Sequence, residues 1–311
     1  GESQVRQILL GKRYFQSKFG VDVKVGWNPD SFGYNWQLPQ IYKKSGIDYF
    51  VTQKLRYNDT NQLPLKLFWW QSPDGSRVLT YFPHDIVQGT EPLEMAKDLA
   101  RAAQLNPGQD ELMHVYGPSL GRLDVAPARD VIQNGLSWSG PNKVFPQLQF
   151  RTSQAFFNDM AARVATNDMP VWNYKTFAAG ETRLPAPPPG KISLPVWNDE
   201  IYLEHHRGTY TSQAMQKANM RRSEEWVLNA QKYSSLAWLG GLTYPGSQLT
   251  EAWKRKAFNE FHDVAAGTAI AAAYLDAQKD FDAVRWTAKE ATGNALKDLD
   301  SHVNTASHPG V

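Results

Sequence analysis

Residues 26–35 read GWNPDSFGYN and set one carboxylate, Asp30, between the aromatic residues Trp27 and Phe32. Asn, Pro, Asp, Ser and Gly are all turn formers, so a plain turn accounts for the stretch. The same arrangement can present an acid to a cleft beside aromatic faces. A second concentration of reactive side chains lies in LPVWNDEIYLEHHRGTYTS, residues 194–212, which holds Asp199, Glu200, Glu204, His205, His206 and Arg207. Neutral imidazole is the commonest zinc ligand, and a carboxylate from another loop would complete part of a metal site. Two histidines alone fall short of one; either can be a satisfied residue at a helix entrance or a solvated one. A third pair, His262 and Asp263 in NEFHDVAAGT, follows an amphipathic stretch, where helix capping or packing explains it equally well. His84, His114, His302 and His308 have no such neighbours and read as structural or solvated. With no cysteine in the chain, disulfides, thiolate metal sites and a Cys nucleophile are excluded.

The elements around these loops follow from periodicity. VDVKV, residues 21–25, alternates strictly and predicts a strand leading into the Asp30 loop. SGIDYFVTQKL predicts a helix end followed by a strand, RVLTYF another strand and ELMHVYG a third. PLEMAKDLARAAQL and QAFFNDMAARVA predict helices, the latter behind Ser153 as N-cap. Strands alternating with helices imply an α/β layer or barrel with parallel strands, whose function lies in loops at the carboxyl ends. LPAPPPGKISLP, residues 184–195, is a loop or linker, because consecutive prolines forbid helix and sheet interior. From about Thr211 the pattern turns helical, with Trp226, Leu228, Tyr233, Leu236 and Ala237 at roughly helical spacing and three long segments that suggest a bundle. The expected fold is therefore α/β, an incomplete (β/α) barrel-like catalytic domain at 1–207, then a three-helix bundle at 208–300 and a polar tail at 301–311.

Length and composition permit one large domain or two ordinary ones. The 33 basic and 31 acidic residues are scattered rather than gathered into a stripe, so no nucleic acid partner is expected. No apolar run is long enough to span a bilayer. Aromatic residues are plentiful, as in sugar or nucleobase sites and in ordinary cores alike.

Three stretches resemble one family in the right order. Residues 5–59, from VRQILLGKRYF through GWNPDSFGYN to KLRYND, are similar to the catalytic domain of glycoside hydrolase family 38, the retaining α-mannosidases. LPVWNDEIYLEHHRGTYTSQA resembles that family's second hallmark and FNEFHDVAAGTAI its helical-domain motif. The resemblance implies hydrolysis of α-mannosides in glycans and a zinc ion held by two Asp and two His, one Asp doubling as nucleophile. That Asp falls on Asp30, with Phe32 beside the sugar and Gly33 allowing a close backbone turn. Trp27 and Arg207 are the further substrate contacts expected. The motif histidine before Arg and Gly falls on His206, preferred over His205 as ligand, and Asp30 and His206 would both hold the metal.

Two departures accompany the resemblance. The family's first metal motif, His, any residue, Asp, has no counterpart, so half the zinc ligands are absent and the fragment by itself is expected to be a poor enzyme or none. The missing amino-terminal part and β-rich carboxyl-terminal domains of the same protein would be its structural partners; self-association into a homo-oligomer stays open. The glycine-rich loop that carries the family's acid/base is replaced by YGPSLGRLDVAPARD, in which Asp124 is the acid available, with Arg122 nearby. Arg122 would depress an acid, the wrong direction for a proton donor. That loop also supports an alternative, a catalytically silent carbohydrate-binding relative.

Overall fold

The computed structural model describes residues 1–83, 91–115, 129–166 and 169–304. They fall into two compact units, residues 15–205 and residues 1–14 with 206–311.

The first unit is built on a six-stranded sheet of order β1-β2-β4-β3-β6-β5, with β1 at Val25–Trp27, β2 at Tyr49–Val51, β3 at Leu67–Gln71, β4 at Arg77–Tyr81, β5 at Val171–Trp172 and β6 at Val196–Trp197. All pairings are parallel except the β3–β4 hairpin. Between the strands run α2 (Leu38–Lys44), α3 (Pro92–Leu105), α4 (Arg129–Trp138), α5 (Ser153–Arg163) and α6 (Tyr174–Ala178); most of the amino-terminal α1 (Glu2–Phe19) is counted with the second unit. This is the mixed, barrel-like α/β layer that alternating strands and helices imply.

One sheet face buries Val51, Leu67, Leu79 and Tyr81 against Phe156, Phe157 and Met160 of α5. The other gathers Tyr34, Tyr42, Phe50 and Trp70, whose ring centroids lie 5.2 to 6.3 Å apart in tilted or edge-on contacts. Successive residues on β2, Phe50 and Val51, thus serve opposite faces, as strand geometry requires.

Three sequence expectations need correction. The first strand starts at Val25 rather than Val21, because its partner begins at Tyr49; the carbonyl of Lys24 accepts from Asp48 and Tyr49, and Val21 is exposed without a ladder partner in the sheet. The α5 N-cap is Thr152, whose hydroxyl accepts from the Ala155 amide at 3.2 Å, one residue before the expected Ser153. Residues 111–115 form no strand; Met113 donates its amide to the Tyr81 hydroxyl at 3.1 Å instead, and 116–117 lie outside the described residues. The proline-rich stretch is a loop internal to this unit. Its end is threaded into the core, with Ile192 and Leu194 buried and Ile192 exchanging backbone bonds with Arg163 and Ala165.

The second unit holds α7 (Ala214–Leu239), α8 (Gly246–Phe258), the short α9 (His262–Ala266) and α10 (Ala271–Ser301), so the three long helices appear as expected. The buried positions on α7 include Ser223, Val227, Ala230, Ser234 and Ala237, together with the polar Gln216, Asn219 and Glu224, and those on α10 are Ala277, Phe281, Val284, Ala288, Ala291 and Ala295. Steps of three and four residues put each set on one stripe, and small side chains allow close approach. Of the apolar residues named from the sequence, only Ala237 lies fully on this seam, while Leu236 and Tyr233 are exposed. Residues 1–14 join this unit through a buried polar cluster: the Lys256 ammonium donates to Glu260 and to the Ser3 hydroxyl at 2.6 Å, and Ser3 donates to Glu224. No described helix is long and apolar enough to cross a membrane.

Candidate active site

Trp27 and Val51, the last residues of β1 and β2, are register partners. Three residues beyond each stands a charged group, Asp30 and Lys54, and the Lys54 ammonium donates to Asp30 Oδ1. Both side chains are mostly buried, 22% exposed for Asp30 and 15% for Lys54. The ammonium also lies 5.4 Å from the ring centroids of Phe32 and of Tyr57, within range of cation–π attraction. Trp27, at the end of β1 where this loop begins, is 47% exposed.

The loop bearing Asp30 is tied at Asn28, Pro29, Ser31 and Tyr34. Asn28 donates its amide to Val51 at 3.0 Å and Gln53 donates to the Pro29 carbonyl at 3.3 Å, which joins the ends of both strands. Ser31 donates to the Asn28 side chain at 2.7 Å, and the Tyr34 hydroxyl donates to the Asn28 carbonyl at 2.6 Å. With its one proton committed there, Tyr34 accepts from Thr52 at 2.6 Å. Burial pushes the Tyr34 phenol far above its usual range, so it stays a donor. Gly33 adopts φ 103°, and a Cβ there would meet the Leu203 amide nitrogen at 3.4 Å, which is why this turn needs glycine.

The acids of the second motif have structural duties. Asp199 accepts from the amides of Glu200 at 2.8 Å and Tyr174 at 3.3 Å. Glu204 accepts from three consecutive amides, Asp59 at 2.7 Å, Thr60 at 2.8 Å and Asn61 at 2.5 Å. Its own amide donates to Asn58, which in turn donates to Tyr202. His205 Nε2 lies 3.3 Å from Asp59 Oδ2. The segment 202–205 is therefore zipped onto the loop after Lys54.

His206 and Arg207 belong to the helical unit. His206 is a non-glycine residue at φ 64°, a conformation that costs energy and clusters at functional sites, and it precedes the short 3-10 turn Arg207–Tyr210. Arg207 is exposed. In the third motif, His262 opens α9 with its ring 4.1 Å from that of Phe261 and Nε2 3.6 Å from Asp263. The two loops meet: a Cβ on Gly267, at φ 87°, would lie 2.7 Å from the Ser212 carbonyl oxygen, and Lys217 donates to the carbonyls of both Ser212 and Ala265.

Asp124 and Arg122, like His84 and His308, lie outside the described residues; His302 bonds the Asp298 carbonyl at the end of α10. Among the described residues no three His, Cys, Asp or Glu side chains come together as a metal cage, and Asp30 is bonded to an ammonium. The described groups thus do not by themselves fit a zinc ion. Motif reading does not single out Lys54. Its equal spacing past the next strand is the signal that could have found it.

The profile described as the glycosyl hydrolases family 38 N-terminal domain matches residues 1–175, more than half the chain. The chain belongs to glycosyl hydrolase family 38. The alpha mannosidase middle domain matches residues 204–299, covering the helical unit of this family 38 chain. It is 33% identical over 290 residues to an alpha-mannosidase of Saccharomyces cerevisiae, which covers 88% of this chain and 24% of the relative. Alpha-mannosidase G of Dictyostelium discoideum is 30% identical over 282 residues, covering 90% and 23% respectively. The chain therefore spans about a quarter of the length of these relatives. The crystal structure of an alpha-mannosidase from Enterococcus faecalis V583 superposes over 99% of the chain and 33% of its own, with a TM-score of 0.73 at 16% identity, a likeness of fold.

Proposed function

We propose that the polypeptide carrying these residues is a retaining α-mannosidase acting on α-mannosidic bonds in glycans, with Asp30 as nucleophile. The observation that supports this most is the Asp30 carboxylate itself, held rigidly at the carboxyl end of β1 and flanked by Phe32, in a chain of family 38. The names of the yeast and Dictyostelium relatives support the substrate class.

A retaining glycosidase needs two carboxyl groups about 5 Å apart. In the first step Asp30 forms a bond to the anomeric carbon as the glycosidic bond breaks; the leaving oxygen keeps the electron pair and takes a proton from the second carboxyl. In the second, that group removes a proton from water, whose oxygen displaces Asp30. Asp124 is our assignment for the second carboxyl. Trp27, Phe32 and Arg207 are assigned to the sugar. The family implies zinc, with Asp30 and His206 as the ligands assigned here, and a bound zinc would act as Lewis acid and template; the steps above use only the chain's own groups.

The test uses the longest gene product containing these residues and an aryl α-mannoside. Asp30→Asn is expected to abolish turnover, and full activity in that variant would sink the reading. Metal content before and after chelation, compared among His205→Ala, His206→Ala and His262→Ala, identifies which histidine holds the ion. Asp124→Ala should slow substrates that need protonation far more than activated ones.

A further inference from the structure

We propose that Lys54 is a positioning and charge-balancing residue for Asp30, orienting its carboxylate for attack and stabilising it when it departs in the second step. This rests on the assignment of Asp30 as nucleophile and deepens it.

The sheet sets the position of both groups. Neighbouring parallel strands end in register at Trp27 and Val51, and each chain then advances three residues to its charged group. Bonds from Asn28 to Val51 and from Gln53 to Pro29 lock the two advances together, so the meeting of Asp30 and Lys54 is fixed by backbone geometry. The ammonium is confined between the carboxylate and the faces of Phe32 and Tyr57. With 15% of its side chain exposed, it is poorly placed to act as a solvating surface lysine.

Chemistry gives that confinement a use. When Asp30 forms the glycosyl ester its negative charge is consumed. When water displaces it, the C–O bond to Asp30 breaks, the electron pair returns to the carboxylate and the charge reappears beside Lys54. A fixed cation aimed at a charge that develops during reaction is worth most in a site with little water. The amine neither gains nor loses a proton in either step.

The effect should fall on turnover rather than binding. In the gene product described above, Lys54→Gln keeps a hydrogen-bond donor and removes the charge; with an activated aryl α-mannoside, kcat should drop about 100-fold. KM should drop as well, because glycosyl-enzyme accumulates, and a burst of phenol should precede the steady state. Lys54→Arg should restore most of kcat and abolish the burst. A rise in KM at unchanged kcat, or equal losses in Gln and Arg variants, would overturn the proposal. Should Lys54→Gln fail to fold, Lys54→Met tested beside Lys54→Arg gives the same reading, and misfolding of all three would show a structural role only and overturn it too. Trapping the parent enzyme with a fluorinated mannosyl fluoride and mapping the labelled peptide separates the two layers: a label on another residue refutes Asp30 as nucleophile, whereas a label on Asp30 with normal Lys54→Gln kinetics refutes Lys54 alone.

Discussion

The Glu204 carboxylate sits 2.7 Å from the backbone nitrogen of Asp59, across 145 residues of chain, and reaches the next two amides as well. Charge-assisted bonds to three consecutive amides make this side chain the clasp between the loop after Lys54 and the segment that ends at His205. Glu204→Ala should cost about 2–3 kcal/mol, since the amides lose a charged acceptor together. Urea unfolding would measure it, and a loss below a few tenths would mean that water replaces the clasp.

Two glycines in the helical unit should respond to alanine with opposite signs. Gly267 holds φ 87° with backbone 2.7 Å from where a Cβ would go, so Gly267→Ala should destabilise by about 1–3 kcal/mol. Gly293 lies inside α10 with nothing within 4 Å of its added Cβ, so Gly293→Ala should stabilise by about 0.5–1 kcal/mol. Thermal unfolding of the two variants side by side checks both signs.

Burial pushes Lys66 down to about 8 from its ordinary 10.5, with Asp98 opposing that shift, Arg101 adding to it and the Tyr81 ring 5.4 Å away. Between those two values the unfolded chain keeps a proton that the folded chain has released. Stability should therefore rise with pH from about 8 to 10.5, by at most about 3 kcal/mol. Lys66→Met should be at least as stable at neutral pH and should flatten the rise; an unchanged slope would assign it to other groups.

Lys256 is completely buried, and its charge is answered by Glu260 and the Ser3 hydroxyl. Glu260→Ala should cost about 3–5 kcal/mol, because a buried ammonium loses its counter-charge. Removing both charges, as Lys256→Met with Glu260→Met, should cost clearly less than the two single changes added together. Additive losses in a denaturant-based double-mutant cycle would show that the two groups act independently.

The sequence was most informative where local chemistry decides the outcome. RVLTYF shows its strand through β-branched and aromatic residues and PLEMAKDLARAAQL its helix through helical spacing, and the glycine and aromatic residues around Asp30 mark a special turn. What periodicity could not reveal was non-local. Val21 alternates like a strand, yet it has no ladder partner in the sheet; large residues such as Leu236 suggest a core face, yet the buried α7 stripe carries Ser, Ala and polar residues with a single Val, because close helix approach favours small side chains. Glu204 looked like one acid among several beside two histidines, and its duty became visible only once the amides of residues 59–61 were beside it. Lys54 carries no motif and gains its meaning from the register of the strand before it.

The pairing of β3 with β6 joins residues more than a hundred positions apart. A ribosome adding about 5–20 residues per second exposes LFWWQ for several seconds or longer before Val196 and Trp197 emerge to cover it. During that interval this apolar strand has only its hairpin neighbour, and its open edge is a template for another nascent chain. The yield of soluble protein should thus depend on how fast translation proceeds from residue 71 to residue 197 and on which chaperones attend it.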